Sequence, residues 1–209
     1  GRLMAESGDL EDGRRRLTRA VELDPGDHQA RTELARIAAM QHEWDRADAI
    51  LDEAAIAVPH ASGILLASKV RFTVWRGDRA ALAGCVAEVE ARRDDPSLRL
   101  VVPMLLPIWK AIADGENLAE DDSRLAKLRE ATGGTSLRLT MFWYQLLAEI
   151  GGVVGHHDAA LDAIEAAAMR TLIDVRWLDR CPALESLRSN ARLSRARATV
   201  AARAAALWR

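Results

Sequence analysis

A spacing of 34 residues constrains this chain more than any other feature. Gly8-Asp9-Leu10 opens a stretch that continues through Gly13, Leu17 and Ala20 to Asp24-Pro25. Thirty-four positions on, the same roles fall to His42-Glu43-Trp44, Ala47, Leu51, Ala54 and Val58-Pro59. A small residue sits where two helices would touch, and a proline closes each unit, as in repeats built from antiparallel helix pairs. One such pair cannot bury its own apolar face, so several must stack and leave a concave wall exposed. The expected fold is an all-α, right-handed solenoid of about five helix pairs with a C-terminal capping helix.

The pattern is helical throughout. A stub over 3–6 pairs with a helix over 10–23, and helices over 29–40 and 44–57 form the second unit. Asp24-Pro25-Gly26-Asp27 ends one unit, with Asp27 placed to cap the next helix. A third unit spans 64–75 and 80–92 around Gly77-Asp78, and Asp94-Asp95-Pro96 stands where the closing proline belongs. Pro103 and Pro107 predict a kinked or interrupted helix over 98–113. A polar helix over 118–131 leads to the loop Thr132-Gly133-Gly134-Thr135. Beyond it, 137–154 and 159–170 form a late pair, followed by a short helix at 183–187 and a last one over 191–208. The organisation is therefore 1–94 as regular repeats with a truncated first helix, 95–170 as degenerate repeats, and 171–209 as a capping segment.

Composition narrows the function classes. No apolar run approaches the roughly 18 residues a membrane span needs. Cys85 and Cys181 are the only thiols. Two so far apart read as reduced core residues, which points to the cytoplasm. Lys occurs only at 69, 110 and 127 among many Arg, as a GC-rich bacterial genome would give. The net charge of −2 is unevenly spread: from Arg170 onward nine Arg face Asp174, Asp179 and Glu185. No aromatic residues interleave those arginines in a nucleic-acid pattern, so the tail reads as an amphipathic cap, with Leu193, Val200, Ala204 and Leu207 turned inward. The first residues already lie inside a helix pattern, and the chain reads as a fragment of a longer protein.

The first two units resemble the tetratricopeptide repeat family, in which Gly-Asp-aromatic opens the second helix, a small residue sits mid-helix and proline closes the unit. Those roles fall on Gly8-Asp9-Leu10, Gly13, Ala20 and Pro25, and on Trp44, Ala47, Ala54 and Pro59. A third unit fits through Gly77-Asp78 and a late one through Gly155 and Ala160, while Arg31 replaces the family's bulky residue early in the first helix. The resemblance implies a surface that holds a protein or peptide. The Lys and Asn pairing with which some members clamp a C-terminal carboxylate has no counterpart here. The segment Trp177-Leu178-Asp179-Arg180-Cys181-Pro182-Ala183-Leu184, with Leu187-Arg188 and Leu193, is similar to a closing segment of multidomain bacterial signalling proteins. In these a tetratricopeptide-like tail follows a serine/threonine kinase domain or a DNA-binding transcriptional domain. That likeness implies a regulatory or sensory role, with the catalytic or DNA-binding part upstream.

No constellation for catalysis, metal or cofactor emerges. His156 and His157 are adjacent, so on a helix they diverge by about 100°, whereas a metal pair needs i, i+4 spacing. Gly133-Gly134 and Gly151-Gly152 lack the strand, helix and Lys of a phosphate loop. The six Trp read first as interhelix packing, with Trp75 or Trp109 able to face the groove. One signal stands out. Counting back from each turn puts Arg2, Arg36 and Arg71 at the same position of successive first helices, where they would form a column on the concave wall. Guanidinium forks suit carboxylate or phosphate, so the column would hold an acidic peptide. Gln29, Thr32 and Met40 would share that wall, with Ile64 and Trp75 as apolar contacts. A solvated stripe paired with Glu33 or Glu6 is the alternative. The expected protein is non-catalytic and binds a protein or peptide rather than nucleic acid or membrane. Self-association through exposed repeat faces is the other reading.

Overall fold

The structure is a computed structural model describing residues 1–134 and 136–208. Thr135 of the expected loop and Arg209 of the basic tail lie outside the described residues. Every regular element among the described residues is helical. The chain divides into two compact units, one of residues 1–5 and 9–116, the other of 6–8 and 117–209.

From the N-terminus α1 (Arg2–Glu6), α2 (Leu10–Leu23), α3 (His28–Met40), α4 (Trp44–Ala57), α5 (Ser62–Arg76) and α6 (Arg79–Ala91) follow as hairpins, all in the first unit but for Glu6 at the end of α1. The turns are equivalent in backbone terms: Gly8, His42 and Gly77 all have positive φ, at 113°, 62° and 73°. Asp9, Asp27 and Asp78 each accept a backbone N–H three residues on, capping α2, α3 and α6. Units end alike as well, with Asp24 and Val58 extended at φ −135° and −133° ahead of their prolines. The small residue of the repeat has a steric reason. A Cβ on Gly13 would lie 2.6 Å from the backbone nitrogen of Ala5, and Ala47 in the same role is 1 % exposed. Leu17, Leu51, Leu65 and Leu82 are buried between the pairs, each contributing roughly 2 kcal/mol of apolar transfer.

The interrupted helix appears where its prolines place it. α7 (Val101–Met104) stops at Leu105, and α8 (Leu106–Asp114) restarts with Pro107 in its first turn. Because α8 packs on α6, the first compact unit reaches Glu116, well past residue 94.

The second unit holds α9 (Ser123–Glu130), α10 (Leu137–Val154), α11 (His157–Met169), α12 (Val175–Arg180) and α13 (Ala191–Ala206). α9 is shorter than the expected 118–131 because Asp122 stops it from extending backwards. Its carboxylate accepts the Arg124 backbone N–H at 2.8 Å and grips the Arg124 guanidinium, which pulls the Asp122 pKa down to about 2. The α10–α11 hairpin turns at Gly155, again at positive φ (87°). Asp174 caps α12 through the Trp177 N–H at 2.9 Å, creating a short helix where the sequence pattern suggests none. On α13, Leu193, Val200 and Ala204 are buried, whereas Leu207 lies past the helix end and is half exposed. The tail's arginines work inward more than outward. Arg192 reaches Asp162 and Glu165 on α11, Arg197 holds Asp179, and Arg203 donates to the carbonyls of Ala168 and Leu172.

Candidate functional site

Arg2, Arg36 and Arg71 occupy matching positions of α1, α3 and α5, and the structure brings the first two to a common target. That target is Glu33, one turn before Arg36 on α3. Arg36 Nε donates to Glu33 Oε2 at 2.9 Å, and Arg2 Nη1 stands 3.3 Å from Glu33 Oε1. Arg71 acts on the same carboxylate through its charge, while its Cζ lies 5.2 Å from the centre of the Trp75 ring. Burial alone would push the Glu33 pKa up, but Arg36, Arg2 and Arg71 together outweigh it and hold the carboxyl below its ordinary range. The carboxylate is thus a charged peg that ties α1 to α3, with the Arg71 charge of α5 nearby.

The exposure of these groups is graded. Arg36 is 5 % exposed and Glu33 8 %, whereas the Arg2 side chain is 42 % exposed and Arg71 is half-buried. Two of the three arginines therefore reach solvent, and the middle one forms the floor. Gln29 is exposed one turn before Glu33, and Thr32 is half-buried with its hydroxyl donating to the His28 carbonyl at 2.8 Å. Ile64 is 37 % exposed on α5. Met40 and Trp75 are buried; Trp75 packs against Phe72 with ring centres 4.9 Å apart and carries Arg71 on its face. In the sequence Glu33 is one of two pairing options, beside Glu6. Its spacing of three residues from Arg36 was the available signal, but its contact with Arg2 required the stacking of α1 on α3.

Other polar groups are also engaged. Lys69 on α5 donates to both carboxylate oxygens of Asp52 on α4, at 2.7 and 2.9 Å. In the second unit Trp177 Nε1 donates to the buried Glu149 at 2.7 Å, and Gln145 bridges to Asp174 at 3.3 Å. That lattice, with Cys181 fully buried nearby in sequence, gives the Trp177–Leu184 segment a structural role, since it seats α12 on α10. Trp109 and Trp143 are buried too, while Trp208 is exposed. Cys85 is half-exposed, and burial pushes its thiol pKa up, which leaves little thiolate near neutrality. His156 caps α11 by position and His157 contacts Ser186 at 3.3 Å. Among the described residues, no three or more His, Cys, Asp or Glu side chains gather in a metal-holding arrangement, and no helix is long and apolar enough to cross a membrane.

No curated protein and no solved structure shows significant similarity to the chain. Residues 4–66, which run from α1 into the start of α5 and contain Glu33 and Arg36, match the model of the tetratricopeptide repeat family.

Proposed function

We propose that the first unit is a non-catalytic protein-interaction module whose first-helix wall receives an acidic segment of a partner. The observation that carries this reading is the seating of Arg2 and Arg36 on Glu33, with Arg71 at the matching position of the next first helix on the face of Trp75. Repeats of this kind generally mediate protein–protein contact. Here the buried Arg36–Glu33 pair fixes the geometry, while the outer guanidinium groups of Arg2 and Arg71 meet the partner's carboxylates. Gln29, Thr32 and Ile64 supply polar and apolar contacts around them, and Met40 and Trp75 support the wall from behind. We infer a regulatory place in a bacterial signalling protein from the resemblance read in the Trp177–Leu193 sequence alone.

The test uses fluorescent peptides of matched length, one series with clustered Asp and Glu and one with Asn and Gln. Acidic peptides bind the native chain at least tenfold more tightly, and Arg2→Glu with Arg71→Glu removes that preference. Equal affinity for both series, or an unchanged preference in the double variant, overturns the reading.

Exposed apolar side chains favour a second reading, self-association. Leu3 is 56 %, Leu23 69 % and Ile56 82 % exposed within the first unit. Light scattering across a hundredfold concentration range decides it: a constant monomer mass removes this reading.

A further inference from the structure

A cavity of about 310 Å³ lies in the second unit between α9, α10 and α11. Its origin is a mismatch of lengths. α9 has 8 residues, whereas α10 has 18 and α11 has 13, so α9 covers only part of the hairpin beside it. Leu125, Leu147 and Ile150 supply apolar walls, and Ala163 and Ala166 put too little bulk in the remainder to close it. The size falls at the lower end of small-ligand sites, and a mostly apolar lining with a few placed polar groups is what such sites share.

Arg129, Thr132, Tyr144, His156 and Asp162 are the polar side chains of the lining. Arg129 lines the cavity and gives one N–H to the Glu120 carbonyl at 2.6 Å; among the described residues it has no carboxylate within ion-pair distance. The hydroxyl of Thr132, also in the lining, donates to the Arg129 carbonyl at 2.7 Å and steadies the end of α9. Arg170 is likewise without an ion pair among the described residues, and its Cζ lies 5.6 Å from the ring centre of Tyr144, another lining residue. The lining carboxylate, Asp162, is already claimed by Arg192 at 2.5 Å. A half-open, largely apolar pocket with a partly exposed guanidinium at its wall suits an anion with an apolar body.

We propose that this cavity is a binding site for a small monocarboxylate with a compact apolar body. The carboxylate pairs with Arg129, and the hydrocarbon part rests on Ala163, Ala166 and Gly151 beneath Tyr144. The Arg129 fork still has N–H donors beyond the one given to Glu120, enough for a carboxylate oxygen pair. The site is independent of the arginine wall in the first unit, since it shares no residue with it.

The test is calorimetric titration of the full chain with 3-phenylpropanoate, set against 3-phenylpropanol as the uncharged match. The acid saturates a single site at about 1 mM or tighter, and the alcohol binds at least about tenfold more weakly. Arg129→Gln lowers affinity for the acid by about tenfold or more while leaving the weak alcohol binding unchanged. Ala166→Leu fills the chamber and abolishes both. If that variant loses its helical circular dichroism, Ala159→Leu at the half-buried edge replaces it. Absence of saturable binding to the native chain, equal affinity for acid and alcohol, or retained binding in the folded cavity-filled variant each overturns the proposal.

Discussion

Arg36 and Glu33 form a buried ion pair at 2.9 Å within one turn of α3, and Arg2 of α1 closes on the same carboxylate from the neighbouring hairpin. Both members of the pair lie out of water, so each depends on the other to avoid an uncompensated charge. Arg36→Ala therefore lowers stability by about 3–5 kcal/mol, well beyond the roughly 0.5 kcal/mol typical of an exposed pair. Replacing both together, Glu33→Leu with Arg36→Met, recovers most of that loss because neither member of the pair is left buried without the other. Urea unfolding of the native protein, Glu33→Leu, Arg36→Met and the double variant measures the coupling. A double variant as weak as the single ones shows that packing, not charge, sets the cost.

The lowered pKa of Glu33 has a defined consequence for pH. A carboxylate whose folded pKa lies below its unfolded value of about 4.3 stabilises the fold above that unfolded value. The contribution fades as pH falls from the ordinary carboxylate range towards the folded pKa. Native protein should lose urea midpoint steadily below about pH 5, and Glu33→Gln should lose less over the same interval. Other carboxylates, Asp95 and Glu165 among them, also sit below their usual pKa, so the difference between the two proteins is the informative quantity. Parallel midpoint curves for native and Glu33→Gln contradict the assignment.

His42 holds the left-handed turn that Gly8, Gly77 and Gly155 hold in the other hairpins. An L side chain is strained sterically at such a φ, by more than glycine loses in chain entropy. The following N-cap, Glu43, also makes no side-chain cap bond, unlike Asp9 and Asp78. His42→Gly should raise stability by about 0.5–1 kcal/mol, and Glu43→Asp by a similar amount. Thermal denaturation of each variant checks the sign. His42 does meet the Trp44 ring edge-on, with centres 5.5 Å apart, so an unchanged midpoint would mean that this contact offsets the strain.

These departures show which parts of the molecule could be read in advance. The hairpins of the first unit were legible because their signals are local: a turn glycine, an Asp cap, a small residue at the crossing and a proline stop. Even the break between Pro103 and Pro107 follows from covalent geometry alone. The arginine register came from counting back to those turns. Its meeting point at Glu33 did not, since Arg2 and Glu33 are 31 positions apart and meet only by stacking. The same limit hid the Glu149–Trp177 bond across 28 positions and the role of Arg192 in tying α13 to α11. α12 is not legible in the sequence because six residues are too few for a period; its one local signal is the Asp174 cap.

Two helix-interior glycines give opposite expectations for one chemical change. Gly84 lies within α6, and a Cβ there would meet open space. Gly84→Ala should therefore gain the helix propensity difference of about 1 kcal/mol and raise the thermal midpoint by roughly 2–4 °C. Gly152 lies within α10, where the carbonyl oxygen of Ala183 in the 3₁₀ stretch Pro182–Leu187 takes the place a Cβ would occupy. Backbone cannot swing aside as a side chain can, so Gly152→Ala must separate α10 from that stretch and disturb the adjacent Glu149–Trp177 bond. The propensity gain is then overridden by an overpacking cost of about 1–3 kcal/mol or more. Trp177 loses part of its enclosure, so its fluorescence should shift to the red in this variant alone. Equal midpoints for the two variants would show that α10 does not press on Ala183 in solution.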